Sequence, residues 1–197
     1  MRWRSWRTGW NGRCRAYTLG PVQIQTQRLT LRPPVLADAA RVSLLAGDYD
    51  VASMTAVIPH PYSEAMAAEW IAGAVRGEEG VAFMIDFDRT LIGCTGYRAF
   101  SSDHGELGYW IGKPYWGAGF ATEAAKALVA HAFDHEDFSH LMARHFTGND
   151  ASERILKKLG FECEGEDMRE CLAQAQTVPC LSYRLDRDQA RAVLRRA

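Results

Sequence analysis

The chain has no apolar run long enough to cross a lipid bilayer, and its first residues lack the apolar central segment of a secretory signal. It also has no excess of one charge, because 23 lysines and arginines stand against 24 aspartates and glutamates, for a formal net charge of -1. Nucleic-acid binders usually carry a strongly basic surface. The sequence therefore predicts a cytoplasmic protein with neither a membrane nor a nucleic acid as partner.

Cysteine is present, but not in a metal-binding pattern. The cysteines are odd in number and scattered, and no pair has CxxC spacing. They are Cys14, Cys94, Cys163, Cys171 and Cys180. Neither a zinc site nor a disulfide framework is indicated, and a reducing compartment such as the cytoplasm is the simplest setting.

The 197 residues, of which 47% are hydrophobic, are enough for one domain with a complete core. Residues 1–20 differ from the rest, since they contain five arginines and three tryptophans but no acidic residue. Two interpretations of this basic extension stay open. The first is a flexible end or a start codon assigned too early, and the second is an arm that binds a partner subunit or an acidic surface. Residues 21–197 are taken as the single domain.

Apolar periodicity predicts a mixed α/β domain with one sheet. The predicted strands cover residues 24–32, 81–87, 91–100, 106–111, 141–146, 161–165 and 181–185. The predicted helices cover residues 38–45, 48–57, 64–76, 124–133, 150–159 and 187–196. This order places a three-stranded meander before the helix at 124–133 and indicates helices on both faces of the sheet.

The most informative stretch, residues 116–121, reads WGAGFA and lies between a predicted strand and a predicted helix. A strand that turns through small residues into a helix leaves backbone N–H groups free at the helix N-terminus, where the helix dipole also attracts an anion. Small side chains let a phosphate approach the backbone closely. The sequence thus predicts a phosphate-bearing cofactor here, the alternative being a tight connection without a ligand. The amides concerned belong to Gly117, Ala118, Gly119, Phe120, Ala121 and Thr122.

Two other phosphate motifs do not fit this stretch. A P-loop requires Gly-Lys-Ser/Thr after its glycines, and Gly119 is followed by Phe120. A dinucleotide fingerprint opens a βαβ unit near its first strand. Here the glycines follow a predicted antiparallel meander, so neither a P-loop nucleotide site nor a Rossmann site is indicated.

Three blocks of sequence carry a family resemblance: RLTLRPP near the start, GYWIGKPYWGAGFATEAAKAL around the glycines, and NDASERILKKLGF in the last third. Together they resemble the GNAT superfamily of acetyl-CoA-dependent N-acetyltransferases, over about residues 26–185. The phosphate loop of that family reads Gln/Arg-x-x-Gly-x-Gly/Ala, and Gly119 and Ala121 fill its two small positions. Trp116, counted here as cofactor-binding, replaces the Gln or Arg. An aromatic residue there is usual in the branch of the ribosomal-protein acetyltransferases RimJ and RimL.

The resemblance implies a GNAT-like sheet, mostly antiparallel and partly splayed, with helices on both faces. It implies acetyl-CoA as the acetyl donor, no metal, and direct attack of a primary amine on the thioester. The acceptor would be a protein N-terminus, ribosomal or other, or a small-molecule amine, and the family also suggests a homodimer. The alternative function is a CoA-binding sensor or interaction module without catalysis.

The resemblance also assigns roles to residues outside the loop. The backbone of Ile111 would face the pantetheine arm and the thioester carbonyl. Asn149 would hydrogen-bond the pantetheine, although its position also suits a helix N-cap. Ser152 would face the CoA sulfur and protonate or hydrogen-bond the departing thiolate. The alternative for Ser152 is an ordinary serine in the first turn of a helix.

Glu106 is the favoured general base. An acceptor amine is mostly protonated at neutral pH, so a carboxylate that removes its proton, directly or through water, assists the attack. Alternation places Glu106 on the same strand face as Gly108 and Trp110. A solvated glutamate at a strand end is the alternative interpretation. His104, in a predicted turn, is the second candidate for the base.

Two segments, residues 54–62 and 166–178, are expected to form loops around the acceptor pocket. Residues 58–62 read IPHPY, and the two prolines stiffen this part of the chain. His60 and Tyr62 are its candidate substrate-binding residues. The alternative is a rigid structural loop with a packed aromatic ring.

Overall fold

A computed structural model describes residues 22–195, and the predicted extension at residues 1–20 lies outside that range. The strands are β1 (Ile24–Gln25), β2 (Leu29–Arg32), β3 (Val81–Phe87), β4 (Thr90–Ala99), β5 (His104–Ile111), β6 (His140–Phe146), β7 (Glu162–Cys171) and β8 (Gln176–Asp186). The α-helices are α1 (Ala39–Ala46), α2 (Tyr49–Ala52), α3 (Glu64–Val75), α4 (Phe120–His135), α5 (Asp150–Lys158) and α6 (Arg187–Leu194).

All eight strands belong to one sheet, in the order β1-β2-β3-β4-β5-β6-β8-β7. Every neighbouring pair is antiparallel except β5 and β6, which run parallel. The predicted mixed α/β class and mostly antiparallel sheet are confirmed. Within residues 22–195, no helix has both the length and the apolar character needed to span a bilayer.

The sheet opens between β5 and β6. These strands are paired from His104 with His140 as far as Leu107 with Ala143. Beyond that point, residues 108–111 stay paired with β4, while residues 144–146 stay paired with β8. The gap between residues 108–111 and residues 144–146 is called the wedge below. It is the splay that the family resemblance implies.

Helices cover the two faces of the sheet to different extents. On one face α4 contributes buried residues such as Leu128 to a core that includes Phe83 and Leu107. On the other face α1 and α3 pack over β3 and β4, with Ile71 and Met84 fully buried. Other residues of β5 and β6 on this face, among them Glu106 and Arg144, line a groove instead. The second face is therefore open beside the wedge.

Two predicted elements are shorter in the structure. The strand at 24–32 is interrupted, because Thr26 bonds locally to Leu29: the Leu29 amide donates to Thr26 Oγ1 at 2.9 Å and the Thr26 amide to the Leu29 carbonyl at 2.9 Å. The helix at 48–57 is reduced to α2, since the carbonyl of Ser53 accepts a bond from Gln174 at 3.0 Å. A local turn thus interrupts the first element, and a contact with a distant segment accompanies the early end of the second.

The prediction of a loop at residues 166–178 is wrong. Most of it is the β7–β8 hairpin, and only residues 172–175 form the turn at its tip. β7 is an edge strand with exposed residues on both faces, so it lacks the apolar alternation by which strands are recognised. The tip meets the other expected pocket segment, since the Leu172 amide donates to the Ala56 carbonyl at 3.2 Å.

Candidate active site

The segment between β5 and α4 is exposed and shaped by glycines. Gly117 and Gly119 have φ angles of +77° and +80°, in the left-handed region that favours glycine. Gly119 is the N-cap of α4, and its helix has no side-chain cap. The Glu123 amide donates to the Gly119 carbonyl at 3.1 Å, so the three helical amides before Glu123 have no acceptor within the helix. Free donors at the positive end of a 16-residue helix are what an anion site requires.

Arg28 holds this loop in place, and sequence reasoning missed it. Its guanidinium donates to the Ala118 carbonyl at 2.9 Å and forms a 2.7 Å ion pair with Glu123 of α4. It also lies 4.6 Å from the centre of the Phe120 ring. Arg28 is the arginine that opens the RLTLRPP block, but only the fold brings it to the loop.

Trp116 connects the loop to the wedge. Its indole N–H donates to the Ile111 carbonyl at 2.6 Å, and the residue is 49% exposed. The side chain of Ile111 is buried in the core. A carbonyl oxygen has two lone pairs, so the Ile111 carbonyl can still accept a bond from a pantetheine amide.

The helix α5 begins on the β6 side of the wedge. The side-chain oxygen of Asn149 accepts a bond from the Ser152 amide at 3.1 Å, which makes Asn149 the N-cap. That bond uses the oxygen of Asn149 and not its amide nitrogen. The capping role and the predicted pantetheine contact are therefore compatible.

Tyr109, which sequence reasoning also missed, lies on β5, across the wedge from Ser152. Alternation places it on the strand face of Leu107, the last residue of that face paired with β6. Its hydroxyl oxygen is buried and has no hydrogen-bond partner among residues 22–195. Burial raises the pKa of Tyr109 to about 12, and the nearby Ser152 side chain works against that shift. The wedge thus holds an unsatisfied phenol beside the predicted Ser152.

Glu106 lies at the apex of the wedge, on the face opposite to Tyr109. One carboxylate oxygen pairs with Arg144 at 2.5 Å and the other pairs with Arg169. Asp167 lies 3.4 Å from Arg144 and completes an ion cluster. A carboxylate offers about four lone-pair directions, so Glu106 can still take a proton through a remaining lone pair or a bridging water.

A groove of about 290 Å³ opens beside Glu106 on the open face of the sheet. Its lining residues are Phe100, His104, Glu106, His140, Met142, Arg144, Glu164 and Arg184. His104 is the first residue of β5, so its placement in a turn was wrong. Its ring stacks 5.0 Å from the ring of His140, and its Nδ1 lies 3.0 Å from Ser101 Oγ. Both candidates for the base therefore face one groove.

His60 and Tyr62 do not line this groove. His60 is exposed, with Nδ1 3.0 Å from the Gly47 carbonyl and its ring edge-on to Tyr49. Tyr62 packs into the core under α1 and α3, and burial raises the pKa of its hydroxyl. Both residues of this loop thus contact α1 or the residue that ends it. Their contacts with substrate stay predictions.

The groups around the wedge suit a thioester and a diphosphate. They are a row of backbone amides, a pair of hydroxyls and a carboxylate held by arginines. The part of the chain that the structure describes contains no cluster of three or more metal-ligating side chains. Its four cysteines, Cys94, Cys163, Cys171 and Cys180, are free thiols.

Comparison with known proteins agrees with this geometry. A family model described as the acetyltransferase (GNAT) domain matches residues 28–162, which is more than half of the chain. The uncharacterized N-acetyltransferase p20 of Bacillus licheniformis is 29% identical over 150 residues, or 72% of this chain and 83% of p20. The uncharacterized N-acetyltransferase YoaA of Bacillus subtilis is 39% identical over 79 residues, or 39% of this chain and 45% of YoaA. The match thus spans less than half of YoaA.

Among solved structures, Mycobacterium smegmatis RimJ in complex with CoA-disulfide has the same fold. The TM-score is 0.77 at 19% identity, over 89% of this chain and 94% of RimJ. The resemblance drawn from the three sequence blocks is confirmed. The chain belongs to the acetyltransferase (GNAT) family.

Proposed function

We propose that the protein transfers the acetyl group of acetyl-CoA to a primary amine, by direct attack of the amine on the thioester. The observation that carries the proposal is the wedge, which opens where the β5–β6 pairing ends and leads to the uncapped N-terminus of α4. A diphosphate bound by the loop and a pantetheine arm in the wedge would bring the thioester to the middle of the sheet. Fixing both reactants there supplies much of the rate.

The donor is held by the loop in this proposal. The amides of residues 117–122 bind the diphosphate, and the positive end of α4 adds to the attraction. Trp116 and Arg28 keep the loop in its shape through their bonds to Ile111 and Ala118. The amide nitrogen of Asn149 and the backbone of Ile111 bind the pantetheine.

The two candidate catalytic residues approach the wedge from opposite faces of the sheet. Glu106 faces the groove on the open side, so the amine arrives there and loses its proton to Glu106 or to a water that Glu106 holds. Ser152 lies on the α5 side, where the thiolate departs. Arrival of the nucleophile on one face and departure on the other suits a single tetrahedral intermediate. His104, in the same groove, is the alternative base.

The acceptor is a primary amine on a protein N-terminus or on a small molecule. The groove beside Glu106 is open to solvent and admits either class. Four basic or imidazole side chains line it together with Glu106 and Glu164, which gives it a mixed polar character. We also propose that the reaction takes place in the cytoplasm, in keeping with the free thiols of the described cysteines.

Release of free CoA thiol from acetyl-CoA tests the proposal. The panel of acceptors contains peptides with free N-termini, the same peptides with blocked N-termini, polyamines and aminosugars. We expect at least one free amine to accelerate thiol release and its blocked counterpart to have no effect. Tight binding of acetyl-CoA with no acceleration by any amine would instead indicate the non-catalytic CoA-binding module.

A further inference from the structure

Three buried side-chain polar atoms among residues 22–195 lack a hydrogen-bond partner: Tyr109 Oη, His131 Nε2 and Arg144 Nε. Arg144 Nε lies 3.4 Å from Asp167, which supplies an ionic neighbour. His131 is on α4 against the ring of Phe83, outside the wedge. Only the Tyr109 hydroxyl combines an unused donor with a place in the candidate site.

A buried hydroxyl without a partner destabilises a folded protein, and phenylalanine would fill the same space without that penalty. The Tyr109 ring already packs against the core formed with α4. Packing therefore explains why an aromatic ring stands at position 109, but it does not explain the hydroxyl group on that ring. A donor that the protein leaves unsatisfied is available to a ligand.

The neighbour of this hydroxyl indicates which ligand atom it serves. Tyr109 reaches the wedge from β5, and Ser152 reaches it from the first turn of α5, beyond β6. The Ser152 side chain lies close enough to affect the Tyr109 phenol. Two hydroxyls from opposite sides of the wedge thus lie near each other.

We infer that Tyr109 acts with Ser152 as a pair of hydroxyl donors that bind the sulfur of acetyl-CoA and stabilise the thiolate as it leaves. This inference rests on the proposed function and adds a residue to it. Tyr109 touches the leaving atom and is a catalytic residue in that sense.

The role of Tyr109 is to donate a hydrogen bond and not to give up its proton. Burial raises the pKa of Tyr109 to about 12, whereas thiols titrate at about 8.5, so the proton stays on the phenol. The amine nitrogen forms a bond to the carbonyl carbon, and the carbon–sulfur bond breaks with its electron pair on sulfur. The proton lost by the amine passes through Glu106 or water to solvent, and the thiolate takes a proton from solvent after release.

Kinetics of Tyr109→Phe give the first test. A hydrogen bond to a charged group corresponds to roughly 10- to 100-fold in rate, so we expect kcat to fall by that factor with KM for acetyl-CoA nearly unchanged. Melting temperature should not fall, because the lost hydroxyl has no partner. The matched control is Tyr97→Phe, which removes a buried hydroxyl bonded to Glu136 at 2.8 Å, and its kcat should stay at the wild-type value.

Titration of the thiol of bound CoA, followed by thiolate absorbance, gives the second test. In the wild-type protein the bound thiol should ionise at lower pH than free CoA, and Tyr109→Phe should reverse most of that shift. An unchanged kcat in Tyr109→Phe would overturn the inference. So would a loss of kcat with an unchanged thiol titration, since the hydroxyl would then act on the carbonyl oxygen.

The two proposals fail in distinguishable ways. If no amine accelerates CoA release by the wild-type protein, the proposed function fails, whatever the thiol titration shows. If the wild-type protein is active and Tyr109→Phe matches it in both tests, only the inference about Tyr109 fails.

Discussion

Glu106 combines two tasks at one position, since it is the candidate base and also the anion that holds Arg144 and Arg169 together. We expect Glu106→Gln to lower kcat by about 100-fold or more, because general bases contribute roughly 10²–10⁴-fold. It should also lower the melting temperature, since both guanidiniums lose a mostly buried partner. Steady-state kinetics at saturating amine and thermal unfolding measure the two effects.

Arg169→Gln is the matched control for Glu106. It removes one of the same ion pairs but leaves the carboxylate in place, so melting temperature should fall while most of kcat remains. An equal loss of kcat in the two variants would show that the ion cluster, and not the base, accounts for the effect. His104→Gln would then be the variant expected to abolish the basic function.

At the scale of elements, the glycine loop before α4 depends on a conformation that suits few residues. A left-handed alanine is destabilised by roughly 1–2 kcal/mol, and a Cβ at position 119 would meet only Arg28 Nη2, at 3.5 Å. We expect Gly119→Ala to lose about that stability and to weaken acetyl-CoA binding by ten-fold or more, because the methyl group occupies the approach of the phosphate. Calorimetric titration with acetyl-CoA measures the affinity.

Gly77 offers the control for that substitution. Its φ is +74°, and an added Cβ would meet no atom within 4 Å. Gly77→Ala therefore introduces the same kind of backbone strain at a position outside the proposed phosphate site. Equal affinities in the two variants would mean that no phosphate approaches residue 119.

The start of α5 allows capping to be separated from ligand binding. Asn149→Ala should lower the free energy of unfolding by about 0.5–2 kcal/mol, the usual loss at an N-cap. Asn149→Asp keeps an oxygen acceptor for the Ser152 amide and so should keep the stability. It also removes the amide donor, and KM for acetyl-CoA should rise about ten-fold. A wild-type KM in Asn149→Asp would make Asn149 an N-cap and nothing more.

The elements around the loop could be predicted from sequence because their signals are local. The meander, α4 and the cap at Asn149 follow from apolar periodicity, glycine and capping residues. β7 could not, because an exposed edge strand has no apolar face to reveal it. The roles of Arg28 and Tyr109 could not be predicted either, because each depends on a residue that is distant in the sequence. Ala118 is 90 residues from Arg28, and Ser152 is 43 residues from Tyr109.

At the scale of the whole molecule, acid stability should depend on a histidine outside the site. His131 is 6% exposed, and burial, with a smaller effect of His135, lowers its pKa to about 4. An unfolded histidine titrates at about 6.5, so the unfolded chain takes up the proton first and stability falls as pH drops from about 6.5 to about 4. Melting temperatures across that range measure the slope.

His131→Leu should flatten that slope. Part of the slope should remain in His131→Leu, since burial also lowers the pKa of His140. An unaltered pH profile in His131→Leu would contradict the assignment.

We propose above all that backbone amides around Gly119 bind the diphosphate of acetyl-CoA and direct its thioester into the wedge. A crystal structure of the protein with CoA tests this most directly. We expect phosphate oxygens within hydrogen-bonding distance of the amides of residues 117–122 and a pantetheine arm between β5 and β6. Electron density for CoA at any other place, or a wedge left empty at saturating CoA, would contradict it.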